Sequence, residues 1–204
     1  MQTDNGIDQL PKDKGDVGLE DCHVLPRQRL HLKEIDREGW ILDLGGGGEG
    51  VIGKVKGRQV IAVDTSADEL EETSNDSLKI VMDIRDLKFL DESFDTVTSF
   101  FTLMYLPKRD WDLVFSEVER VLRPGGEFWI WDANLQIPAK CTREFIVIML
   151  AIVLPNGTRV ETGYGCKMHR QSLADIAELA GDGLEILDSE VDGNAFHLRI
   201  RKEA

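Results

Sequence analysis

The stretch Trp40-Ile-Leu-Asp-Leu-Gly-Gly-Gly-Gly-Glu-Gly50 constrains this chain more than any other. A short continuous apolar run reads as a buried parallel strand. This one carries a single acid, Asp43, and ends in four consecutive glycines. Glycine lets a backbone turn sharply and lets a ligand approach where a Cβ would otherwise stand. Val51-Ile-Gly-Lys-Val-Lys56 follows as a short helix, weakened by Gly53 and Gly57. Strand, glycine loop and helix in that order bind a nucleotide-like cofactor at the carboxyl end of an open α/β sheet. Gly45, Gly47 and Gly50 also satisfy the G-x-G-x-x-G of dinucleotide-binding proteins, so the loop alone does not choose the cofactor.

The rest of the chain supplies context. Strand patterns at 40–44, 60–63, 79–82, 94–99 and 127–131 alternate with helical stretches. Ser66-Ala-Asp-Glu69 is a capping box. Asp110 stands where it can cap the next helix, in which Trp111, Val114, Phe115, Val118 and Val121 recur at helical spacing. Pro124-Gly-Gly126 is expected to stop that helix and turn it into the next strand. Such alternation predicts a parallel sheet covered on both faces. Beyond Asp132 the texture changes. Phe145–Leu154 and Arg159–Cys166 read as two extended segments around Pro155-Asn-Gly-Thr158. A helix capped by Ser172 and ended by Gly181 follows. Two last strands, about 184–190 and 195–201, form an antiparallel hairpin around Asp192-Gly-Asn194. Residues 22–38 are expected over one edge of the core, as a strand or a helix.

With 204 residues, one domain is expected. Residues 1–20 read as a loosely held arm, and 21–204 as the domain. Within it, 39–133 form a cofactor-binding core, 134–170 an insert or lid, and 171–204 a terminal helix and hairpin. A formal net charge of -14 argues against nucleic acid or an anionic membrane as partner. Cys22, Cys141 and Cys166 are odd in number and far apart, which argues against a zinc site or a disulfide framework. No metal is expected. Met1-Gln-Thr-Asp-Asn-Gly lacks the basic start and apolar stretch of a signal peptide. The longest apolar run, 145–154, is half the roughly 20 residues that a membrane helix needs. It reads as core or as the interface of a homodimer. A cytoplasmic protein is expected.

Two further acids end strands. Asp64 lies 19 positions after Gly45, where a carboxylate can accept two hydrogen bonds from a ribose diol. Thr65 stands beside it. Asp83 follows the third strand and can accept a bond from an adenine amine, while Ile84 offers an apolar surface to the ring.

These pieces resemble the class I S-adenosylmethionine-dependent methyltransferases, of the small-molecule type. The matching segments are Ile41-Leu-Asp-Leu-Gly-Gly-Gly47, Ala62-Val-Asp64, Met82-Asp-Ile-Arg-Asp-Leu87 and Phe94-Asp-Thr-Val-Thr-Ser99. Val118-Glu-Arg-Val-Leu-Arg-Pro-Gly-Gly126 is the most discriminating. The resemblance implies a Rossmann-like α/β fold. Its seven-stranded sheet has the order 3-2-1-4-5-7-6, with strand 7 antiparallel and helices on both faces. It also implies S-adenosyl-L-methionine as cofactor and a small-molecule methyl acceptor. By position, Gly45, Gly46 and Gly47 approach the cofactor's methionine and ribose, and Asp43 orders that loop. Asp64 takes the ribose, Asp83 and Ile84 the adenine, and Ser99, Phe100 and Phe101 the methionine end.

The chain also departs from the family. Many small-molecule members carry a histidine where this sequence reads Leu103-Met-Tyr-Leu106, so Tyr105 either replaces it or packs. Glu49 sits where a small polar residue is common. Tyr164 and His169 are further candidates for acceptor contact, as are His23, Arg27, Arg29 and His31. Two other readings compete with methyl transfer: a nicotinamide-dependent oxidoreductase, and a cofactor-binding regulator or partner subunit without catalysis. The final hairpin, Asp83 and the lack of a Tyr-x-x-x-Lys pair count against the first.

Overall fold

The computed structural model describes residues 21–204; the arm expected over 1–20 lies outside the described residues. β2 (Ile41–Leu44) is buried at all four positions and lies mid-sheet. β3 (Val60–Asp64) and then β4 (Leu78–Val81) flank it on one side. β5 (Phe94–Phe100), β6 (Leu122–Ala133), β10 (Ala195–Lys202) and β9 (Leu184–Asp192) follow on the other. β4, β3, β2, β5 and β6 are mutually parallel, while β10 runs antiparallel to both β6 and β9. Counted within this sheet, the order is the expected 3-2-1-4-5-7-6 with the last strand reversed. Trp40 is exposed just ahead of β2, outside the strand that its apolar character suggested.

Helices lie on both faces, but one face is shared with a second sheet. α3 (Trp111–Val121) and α4 (Leu173–Ala177) cover the first face, against Leu42, Val97, Phe128, Ile130 and Leu198. The second face meets α1 (Val51–Lys56) and Leu70 of α2 (Ala67–Glu72). It also meets a sheet of β1 (Cys22–His31), β7 (Phe145–Val153) and β8 (Arg159–Lys167). β1 pairs parallel with β7, and β8 antiparallel. Strand alternation explains the contact. Ile146, Ile148, Leu150 and Ile152 are fully buried and join Ile41, Trp129 and Trp131 in one cluster. The inner side of the 145–154 run is therefore core. Leu25, Leu30 and Ile35 enter the same cluster, so the open choice over 22–38 falls to a strand and a following irregular segment.

Two local expectations are corrected. Asp110 occupies the cap position of α3, but its side chain makes no cap bond; it accepts from Arg85 Nη1 at 2.7 Å instead. The helix ends at Val121, before Pro124-Gly-Gly126. A residue preceding proline is disfavoured in helical conformation, so the break comes early. Pro124-Gly-Gly126 then forms an irregular start to β6, with Gly125 at φ 76° and a register shift opposite Phe94–Thr96.

Candidate active site

A cavity of about 510 Å³ opens at the carboxyl ends of β2 to β5. Its floor is the glycine loop. Gly45 N–H and Gly46 N–H both donate to Val63 O, at 2.8 and 3.1 Å, which folds the loop across the end of β3. Gly45 has φ 68°, and a Cβ there would collide with the Thr102 side chain. That hydroxyl donates to Leu44 O at 2.9 Å, tying the end of β2 to the turn after β5. At Gly46 a Cβ would lie 2.8 Å from Asp43 Oδ2, and at Gly47 2.9 Å from Asp64 Oδ2. Each carboxylate thus reaches a backbone that has no side chain to shield it.

Three neighbouring strands each supply an acid to one wall. Asp43 on β2 is 2% exposed and accepts from Thr98 Oγ1 at 2.7 Å. The register places Thr98 of β5 directly beside it. Burial pushes the Asp43 carboxyl up to about 7; the Thr98 bond opposes that rise, and the negative charge of Asp64 adds to it. Asp64 ends β3, accepting from Ser66 N–H at 2.9 Å and from Gly47 N–H at 3.4 Å. Asp83 follows β4 and is held by Arg85, whose Nη2 donates at 2.7 Å and Nε at 3.0 Å. Those hydrogen bonds keep the Asp83 carboxyl below its ordinary value against a smaller opposing effect of burial. Thr65 and Ile84 line the same wall.

The far wall is aromatic. Phe100 ends β5, and Phe101 takes φ 53°, a left-handed conformation uncommon outside glycine. Phe101 N–H donates to Trp131 O at 2.7 Å, which holds the turn. Asp132 secures the turn two residues on by accepting from Leu103 N–H at 2.8 Å, and burial pushes its carboxyl up to about 6. The turn Leu103–Tyr105 buries Leu103 and Met104 while Tyr105, 47% exposed, faces the cavity. Tyr164 of β8 closes the wall from above, edge-on to Phe100 at 6.3 Å between ring centroids.

Most of the residues expected to form the site meet here: Asp43, Gly45–Gly47, Asp64, Thr65, Asp83, Ile84, Phe100, Tyr105 and Tyr164 all line the cavity. Ser99 and His169 do not. Ser99 sits opposite Leu44 and Ile130, on the face that α3 covers, because alternation along β5 turns it away. His169 lies beyond β8 with Nδ1 3.9 Å from Cys166 Sγ. Burial pushes that thiol up to about 12, so it is no thiolate nucleophile. His23, Arg27, Arg29 and His31 fall on β1, away from the cavity lining, and Arg27 pairs with Glu161 at 2.9 Å. Sequence reasoning missed Arg85, whose signal was its place two residues after Asp83. It also missed the use of Glu49, which accepts from Thr162 Oγ1 at 2.5 Å and so joins the glycine loop to β8.

Known proteins resemble this chain in sequence and in fold. Residues 42–130 match the family model described as "Methyltransferase domain". A sterol 4-C-methyltransferase of Caenorhabditis elegans is 31% identical over 122 residues, 54% of this chain and 34% of that protein. The chain thus spans about a third of the length of this curated relative. A protein of Pyrococcus horikoshii OT3 has a crystal structure with TM-score 0.62 at 21% identity, covering 83% of this chain and 84% of that one. A SAM-dependent methyltransferase of Methanosarcina mazei gives 0.60 at 18% identity, with coverage of 83% and 94%. These two structures establish likeness of fold. The strand order and the glycine loop accord with the match to that methyltransferase domain, which spans somewhat under half of this chain.

Proposed function

We propose that the cavity binds S-adenosylmethionine and that the chain transfers its methyl group to a small-molecule acceptor. One observation carries the reading: Asp43, Asp64 and Asp83, at the ends of three adjacent strands, share a wall with a loop bare of side chains. These three hydrogen-bond-accepting carboxylates fit a cofactor with a ribose diol, an adenine amine and positive charge at the other end. When bound, the cofactor supplies a methyl group already activated on a cationic sulfur, so no electrophile has to be generated.

The chain's own residues bind, orient and exclude water. Asp64 accepts from the ribose hydroxyls, with Thr65 beside it. Asp83 accepts from the adenine edge, while Ile84 covers the ring. Gly45, Gly46 and Gly47 allow close approach, and Asp43 places a buried carboxylate beneath that approach. Phe100 and Phe101 keep water from the methionine end, which strengthens every charge interaction there. Positioning acceptor and methyl in line is the main source of rate in such a site. Tyr105 and Tyr164 are the groups placed to orient the acceptor. The reading includes residence in the cytoplasm, in keeping with a cysteine set that forms no disulfide among the described residues.

Titration calorimetry tests the proposal. S-adenosylhomocysteine is expected to bind saturably and raise the melting temperature, and NADH to do neither. The reverse result would install the oxidoreductase. Donor binding without transfer to a broad acceptor panel would install the regulator.

A further inference from the structure

Asp83 follows β4 in a turn closed by Asp86 N–H, which donates to Asp83 O at 3.2 Å. Ile84 is buried against the core that α3 covers, and its neighbours Asp83 and Arg85 both line the cavity. A carboxylate at such a rim rotates freely unless something holds it. Here one residue holds both oxygens. Asp83 Oδ1 accepts from the Arg85 backbone N–H at 2.9 Å and from Arg85 Nε at 3.0 Å. Oδ2 accepts from Nη2 at 2.7 Å, with Nε 3.2 Å away. Of the roughly four acceptor positions of a carboxylate, three are filled by Arg85 and one, on Oδ2, is left open.

Arg85 is held in turn from its other side. Nη1 donates to Asp110 Oδ2 at 2.7 Å. The other Asp110 oxygen lies 3.6 Å from Arg109 Nε. Asp110 is a fixed post at the start of α3 and lies outside the cavity lining. Its own N–H donates to Pro107 O at 2.9 Å. The next residue, Trp111, is buried and donates from Nε1 to Leu103 O at 3.2 Å. The guanidinium therefore spans from a rigid helix start to the acid that ends the cavity wall.

We propose that Arg85 is a positioning residue for the cofactor's adenine: clamped between Asp110 and Asp83, it fixes the Asp83 carboxylate with one acceptor position free for the 6-amino group. This rests on the adenine assignment made above. The planar fork of a guanidinium matches a carboxylate at two points and so fixes its plane, which a lysine ammonium does not. A carboxylate fixed in advance meets the amine without first being ordered. A base that lacks the amine leaves the open position unpaired.

The test uses the full chain and two ligands, S-adenosylhomocysteine and its 6-deamino analogue, in which purine replaces adenine. Calorimetry on the unaltered protein is expected to show S-adenosylhomocysteine binding about tenfold more tightly or better. Arg85→Met is expected to narrow that preference to about threefold or less, and Arg85→Lys to do the same, because it restores the charge without the fork. Asp110→Ala, outside the cavity, releases the far end of the clamp and is expected to reduce the preference at least about twofold. It also carries the comparison if an Arg85 variant fails to fold. A merely structural role would weaken both ligands alike, so an unchanged preference in any of the three variants overturns the proposal. Equal binding of the two ligands to the unaltered protein overturns it too. If S-adenosylhomocysteine itself fails to bind the unaltered protein, the donor reading falls in that separate arm, and this inference falls with it.

Discussion

Phe101 lies flat against Tyr164, with ring centroids 5.0 Å apart. The pair joins the turn after β5 to the second sheet, and Phe101 reaches it only through its left-handed backbone at φ 53°. Such a conformation costs of order 1–3 kcal/mol and persists where surrounding packing fixes it. Tyr164→Ala removes the stack and leaves a void, and should cost about 3–5 kcal/mol, as other large aromatic truncations in cores do. Tyr164→Phe keeps the ring and loses only the bond to Glu49, and should cost about 1 kcal/mol. Urea denaturation of the two variants checks the ratio; equal losses would mean that the stack contributes nothing.

The glycine loop allows a controlled comparison. Gly45 and Gly157 both have positive φ, but a Cβ at Gly45 would strike Thr102, whereas at Gly157 it would meet nothing within 4 Å. Gly157→Ala should therefore cost only the conformational penalty, about 1–2 kcal/mol. Gly45→Ala should cost more, and should weaken S-adenosylhomocysteine binding at least tenfold by displacing Thr102 from Leu44 O. Melting curves and calorimetry on both variants decide it. Equal destabilisation would show that the loop is not packed as described.

The sheet was legible because its strands are short apolar runs ended by acids and glycines, a pattern set by burial on both faces. Asp43, Asp64 and Asp83 could be placed from their positions at strand ends alone. The second sheet was harder to read. Residues 22–31 alternate imperfectly, and their pairing with β7 joins segments more than a hundred residues apart, which local periodicity does not encode. Ser99 was misplaced because a strand end names a neighbourhood, whereas the face is decided by parity. Asp110 was misread because Arg85, distant in sequence, competes for its carboxylate.

His197 lies between Trp129 and Trp131, with ring centroids 5.7 and 4.9 Å away, and is 5% exposed. Neither ring nitrogen has a hydrogen-bond partner among the described residues, although Nδ1 is 3.7 Å from Asp188 Oδ2. Burial pushes its pKa down to about 4, the charges of Lys33 and Arg199 add to this, and Asp188 opposes it. Between about 4 and the ordinary 6.5 the unfolded chain binds more protons than the folded one. Stability therefore falls as pH drops through that window, on the order of 1 kcal/mol per pH unit. His197→Phe should remove that slope. Denaturation midpoints for both proteins from pH 7 to 4.5 test this, and parallel curves would refute it.

Asp43 works in the opposite sense. Its folded value near 7 exceeds that of an exposed aspartate, so the folded protein holds the extra proton and loses stability as pH rises toward 7. A cationic cofactor prefers the ionised carboxylate, so binding should release a proton. With the midpoint near 7, the ionised fraction rises about tenfold from pH 6 to 8, and affinity for S-adenosylmethionine, which carries the sulfonium charge, should follow it and then level off. Thr98→Val deletes the bond that favours the charged form. The rise should then shift to higher pH. Asp43→Asn should bind weakly and without pH dependence. Calorimetry near pH 6.5, in two buffers that differ in ionisation heat, counts the released proton directly. An affinity that stays flat from pH 6 to 8 would remove Asp43 from the cofactor site.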